Sequence, residues 1–94
     1  MRGQLTEEIQ KLSKDFLYRE ITVHELRLYS YLDYQMKNEQ KLDPRRVNQE
    51  DRDVLSVLRV EGHIEGGASG LTMTKEFYDY ISQVLWLGYV VNAY

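Results

Sequence analysis

Arg45, Arg52 and Arg59 recur every seven residues near and within the stretch from Pro44 to Val60, and Gln49 and Ser56 fall beside them when the chain is wound at about 100° per residue. Val47, Val54 and Leu58 fall on the opposite side, flanked by Leu55 and Val57. An arginine line set against an apolar line describes a helix with one buried face and one face free for chemistry. Guanidinium forks match phosphate oxygens and the acceptor pair on a guanine edge, and the amides of Asn48 and Gln49 match adenine. On those grounds Arg52 and Arg59 are candidates for base edges or phosphate, and Arg45 and Arg46, near the start of the helix, for phosphate backbone. The other reading of the same line is a solvated face whose arginines pair with neighbours such as Asp53 and Glu61. Four arginines against Glu50, Asp51 and Asp53 leave this segment at +1 in a chain whose formal charge is −3. Long-range attraction to a polyanion is therefore absent, and any such binding must be local.

The remaining chemical inventory is small. The chain has no cysteine, and its two histidines, His24 and His63, stand 39 positions apart. Thiolate chemistry and disulfides are excluded, and a metal site or a nucleophile–base pair has few residues to draw on. His63 reads as a surface or capping residue. "GGASG", Gly66 to Gly70, lacks the lysine-serine/threonine ending of a phosphate loop and the spacing of a dinucleotide fingerprint. Carboxylates gather at helix starts, as Glu7 with Glu8, Glu50 with Asp51 and Glu76 with Asp79, where the helix dipole accounts for them. No catalytic residue, metal or cofactor is expected.

The elements that must position the arginine line follow from periodicity and caps. A chain of 94 residues with 43% hydrophobic content makes one domain, burying roughly 60–65% of its unfolded surface. Thr6 is placed to cap a first helix over Glu7 to Tyr18, with Ile9, Leu12, Phe16 and Leu17 on its inner face. "TVHE" at Thr22 has the form of a capping box, with Glu25 returning a bond to the Thr22 amide, and the helix it opens reaches about Asn38. Apolar and aromatic residues surround most of that helix, which marks it as central. Asp43 before Pro44 predicts the start of the third helix, and Asn48 is a later alternative. Gly62 suits its end. "HIE" and "LTM" then read as two short strands about a glycine-rich tip, with Ile64, Leu71 and Met73 turned inward. Thr72 or Thr74 opens a fourth helix carrying Phe77, Tyr78, Ile81, Val84 and Leu85, which Gly88 interrupts. Tyr89 to Tyr94 is compatible with a helix extension, a short strand or an interface segment.

The stretch "LRVEGHIEGGASGLTMTKEF", Leu58 to Phe77, resembles the winged helix-turn-helix family. There the third helix ends in a leucine-x-x-x-glycine-x-isoleucine form before a hairpin and a leucine-threonine helix start. The likeness covers Val47 to Ile81 and is nearest to small prophage-encoded members of unassigned function. It implies a mainly α fold of three to four helices with a small β-hairpin as the wing. Residues 1–20 would hold the first helix, 21–41 the second, 43–61 the recognition helix, 63–73 the wing, and 74–94 the last helix and tail. It further implies that Asn48, Gln49, Arg52, Ser56 and Arg59 face DNA, with Ala68 and Ser69 at the wing tip, in a regulator from a phage or mobile element.

DNA binding is the leading expectation, and two features make a protein-interaction module, such as an antirepressor, adaptor or inhibitor, its rival. The hairpin segment between Gly62 and Thr74 holds no lysine or arginine, and eight tyrosines exceed what one small core needs. Tyrosine is favoured where an apolar body meets a wet interface. Trp86, Tyr89, Val90 and Tyr94 are left without cover by the stripe of the last helix, so self-association through this segment is expected. The longest apolar run, Val84 to Val91, is too short to cross a bilayer, and a cytoplasmic location is expected.

Overall fold

A computed structural model describes residues 5–90 of the chain. Its elements are α1 (Glu7–Leu17), α2 (Val23–Lys37), α3 (Gln49–Val60), β1 (Ile64–Gly67), β2 (Gly70–Met73), α4 (Lys75–Leu85) and a π-helical turn (Trp86–Val90). The fold is mainly α with one antiparallel two-stranded hairpin directly after α3, a winged-helix-like arrangement.

Local capping sets most boundaries. The hydroxyl of Thr6 accepts from the Ile9 amide, that of Thr22 from Glu25, and that of Thr74 from Phe77, each filling a donor that the first helical turn leaves open. Thr74, and not Thr72, opens α4. Two expectations are corrected here. Glu25 does not complete a capping box at Thr22, because its carboxylate is drawn to Arg19 and Tyr29. The third helix starts at Asn48 and not Asp43: Asn48 accepts from the Asp51 amide while Asp51 accepts from the Asn48 amide, satisfying both donors at once. Asp43 instead takes the Arg45 amide at 3.0 Å inside a turn.

The hairpin pairs Ile64 with Met73 and Gly66 with Leu71, which puts Ile64 and Leu71 in the core and Met73 at its edge. The loop after α2 lies along it as a third rung, with the Leu71 amide donating to Gln40 O at 2.7 Å and the Leu42 amide to Gly67 O at 2.9 Å. The buried Gln35 amide holds that loop by donating to Lys41 O, and the Tyr31 hydroxyl accepts from the Asp43 amide. The α1–α2 corner is pinned similarly. Gln10 both donates to Ile21 O and accepts from Ile21 N, as a neighbouring strand would.

Leu26, Leu28, Tyr29 and Leu32 of α2 form the centre of the core, which Ile9 and Leu17, Leu55 and Leu58, and Phe77, Ile81 and Val84 complete. Gly88 does not break the chain's helical path as expected. It sits within the π-helical turn, where a Cβ would lie 3.3 Å from both Leu26 methyls and 3.4 Å from Ile9 Cδ1. Its lack of a side chain lets the turn close over α1 and α2.

Candidate functional site

The solvent side of α3 is where the sequence places its candidates, and the structure separates them. Arg45 and Arg46 lie in the exposed turn before the helix, outside its face. Arg45 Nε is 3.4 Å from Asp43 Oδ1, and the Arg45 amide, joined by its guanidinium, holds the Asp43 carboxyl below its ordinary value. The Asn48 amide oxygen is committed to the cap, and Gln49 Nε2 donates to Asp53 Oδ1 at 2.8 Å. Arg59 reaches over the hairpin and donates from Nε to Gly66 O at 2.9 Å, with its tip against Gly67. Of the seven residues, only Arg46, Arg52 and Ser56 keep side chains that no intramolecular hydrogen bond or ion pair engages among the described residues.

Exposed carboxylates break the positive line. Glu50, Asp53 and Glu61 lie on or beside α3, and Glu65 lies on β1. Asp51 faces α2, where its Oδ1 is 2.6 Å from His24 Nε2, with Glu50 at 3.5 Å from Nδ1. The His24–Asp51 approach is off the hydrogen-bonding line, and Nε2 is left without a hydrogen-bond partner.

The buried face of α3 is also rotated from expectation. Leu55 and Leu58 are its buried pair, Val47 and Val54 are only partly covered, and Val57 is 45% exposed. Val60 is 88% exposed. Asp53, Ser56, Val57 and Val60 follow the i, i+3, i+4, i+7 rule and form one outward stripe, flanked by Arg52. The hairpin tip, Ala68 and Ser69, is exposed and carries no charge. No family model, characterised protein or solved structure matches this chain.

The expected interface segment divides in the same way. Trp86 is 58% exposed, whereas Tyr89 packs against the core, where burial pushes its phenol upward. Val90 ends the π-helical turn, and Tyr94 lies outside the described residues.

A polar chain inside the protein was invisible to sequence reasoning. Both Arg19 nitrogens donate to the Glu25 carboxylate, at 2.8 and 3.1 Å, and the Tyr29 hydroxyl donates to it at 2.5 Å. Tyr80 continues the chain, 3.4 Å from the Tyr29 hydroxyl and 2.9 Å from Ser13 Oγ, which itself donates to Ile9 O. Burial raises both phenols, that of Tyr29 far above its ordinary value with the Glu25 charge adding to the effect. The Glu25 bond raises Arg19. With Glu25 only 3% exposed, this chain acts as a weld between α1, α2 and α4. His63 is half-buried, stacked on Phe77 at 5.3 Å and tilted against Phe16 at 5.0 Å, and its amide caps the end of α3 by donating to Leu58 O at 3.0 Å. Among the described residues no group of three histidine, aspartate or glutamate side chains is placed to hold a metal, and no helix is long and apolar enough to cross a membrane.

Proposed function

We propose that this chain is a non-enzymatic protein-binding module that uses a winged-helix-like scaffold to present the outward stripe of α3 to a protein partner. The observation that carries this reading is the pair Val57 and Val60, apolar and exposed on the face where a DNA-reading helix needs free donors. Part of the polar inventory on that face is engaged within the chain: Asn48 Oδ1 accepts at its cap, Gln49 Nε2 donates to Asp53 and Arg59 Nε donates to Gly66 O. An adaptor, antirepressor or inhibitor acts through a surface of this kind.

The second reading is a DNA-binding regulator of a phage or mobile element, favoured by Arg46 in the turn before α3 and by Arg52 one turn from Ser56, whose guanidiniums no hydrogen bond or ion pair engages among the described residues. Its strength is bounded by counterion release. Two free guanidiniums give a log–log salt slope of about −2, against about −5 to −9 for six to ten phosphate contacts. A photo-crosslinker at Ser56, compared with one at exposed Lys14, tests the first reading in cells. A protein adduct at Ser56 that disappears on Val57→Asp with Val60→Asp, in a chain that still folds, is the expected result. Tight duplex binding at low salt that Arg52→Ala abolishes would replace it with the second.

A further inference from the structure

A second surface lies between α1 and α4, where no residue of α3 contributes. Two adjoining depressions of about 300 and 360 Å³ share Leu12 and Gln83. Phe16 and Tyr80 line the first, Trp86 and Leu87 the second, so a continuous apolar floor runs toward the exposed indole. Its border carries one sign of charge: Asp15, Glu76 and Asp79 line it, and among the described residues no lysine, arginine or histidine does. Asp79 is engaged by Lys75 at 3.0 Å, while Asp15 and Glu76 form no salt bridge among the described residues.

We infer that this groove docks a basic amphipathic helix of a partner protein. Apolar side chains at i, i+3, i+4 and i+7 fill the two depressions, and flanking lysines or arginines meet Asp15, Glu76 and Asp79. Both walls are helices with no open strand edge, so an extended peptide would leave its amides unpaired while a helix satisfies its own. A second copy is disfavoured by charge, since a chain of net −3 would bring acidic surface to this acidic rim. The inference does not rest on the α3 reading, because the two surfaces share no residue.

Trp86 is the single tryptophan and reports on the groove directly. The probe is a synthetic tryptophan-free helical peptide with leucines at i, i+3, i+4 and i+7 and lysines on its polar face. Controls are the same peptide with glutamates for lysines and a scrambled order of the lysine peptide. The lysine peptide is expected to blue-shift Trp86 emission saturably, and Asp15→Lys with Glu76→Lys to weaken it by about tenfold or more. The glutamate peptide should bind that variant better than the unaltered chain. Val57→Asp with Val60→Asp must leave peptide affinity unchanged, which separates a failure here from a failure at α3. Equal binding of the lysine, glutamate and scrambled peptides overturns the proposal, as does no emission shift at any concentration. An emission shift driven by chain concentration alone overturns it in favour of a second copy as the occupant.

Discussion

Replacing Arg19 by methionine puts the buried carboxylate of Glu25 to a direct test. In the native chain that carboxylate accepts two guanidinium bonds and one phenol bond while almost fully shielded from water. Arg19→Met leaves it with the Tyr29 hydroxyl and no counter-charge. Breaking a buried pair from one side costs about 3–5 kcal/mol, and the lower end applies here. The reason is that the Arg19 side chain is itself 34% exposed, so water reaches the site once the guanidinium is gone. A loss of about 3 kcal/mol is a large share of the roughly 5–15 kcal/mol that holds a domain together. It should lower the urea midpoint by about 1–3 M and the melting temperature by about 12–24 °C. Urea titration followed by far-UV circular dichroism reads it, alongside the double variant Arg19→Met with Glu25→Leu. That variant removes both charges and should recover most of the loss, with Tyr29 keeping the Tyr80 hydroxyl. A single-variant loss below about 1 kcal/mol, or a double variant no better than the single, would refute the reasoning.

Two further outcomes follow from the same structure. The folded chain holds the Tyr29 proton more tightly than the unfolded chain does, through burial first and the Glu25 charge second. That contribution is full below the unfolded value near 10 and is lost as pH rises above it. The urea midpoint should therefore be flat up to about pH 10 and fall beyond it, and Tyr29→Phe should flatten the fall; an unchanged slope in that variant assigns the effect elsewhere. At the hairpin, a Cβ on Gly66 would lie 2.0 Å from Gly70 O at φ +85°, whereas one on Gly62 meets nothing within 4 Å at φ +83°. Gly66→Ala should cost more than about 2 kcal/mol and Gly62→Ala only about 1. Thermal melts that reverse this order contradict the steric account.

The resemblance to a winged helix predicted the order of elements well, and periodicity placed the inner faces of α1 and α4 but not that of α3. Thr6, Thr22 and Thr74 marked helix starts, and the glycines of "EGHIEGGASG" marked the hairpin. The α3 start was the main boundary error. Asp43–Pro44 and Asn48 both satisfy the local rules for a helix start, and the choice went to the site with a reciprocal partner three residues on. Of the proposed contact residues, Arg52 and Ser56 stand on the open face, while Arg59, Gln49 and Asn48 stand there with one polar atom each, Nε, Nε2 and Oδ1, held by an intramolecular bond.

The sequence by itself determined what depends on neighbours within about one helical turn: caps, helical stripes, the glycine-tipped reversal and the lack of cysteine chemistry. Those interactions act between residues whose separation along the chain fixes their separation in space. Tertiary structure decided the partners of those polar side chains that reach beyond one helical turn. Glu25 left its cap for Arg19, Tyr80 reached Ser13 across 67 positions, and Arg59 turned back to the hairpin. It also decided that Val57, Val60 and Trp86 would stay at the surface. A flexible arginine or glutamate can reach many points, and a stripe can rotate by one residue at little local cost. Only the packing of α1, α2, α4 and the hairpin selects among those options, because only packing brings the distant donor, acceptor or apolar wall within reach.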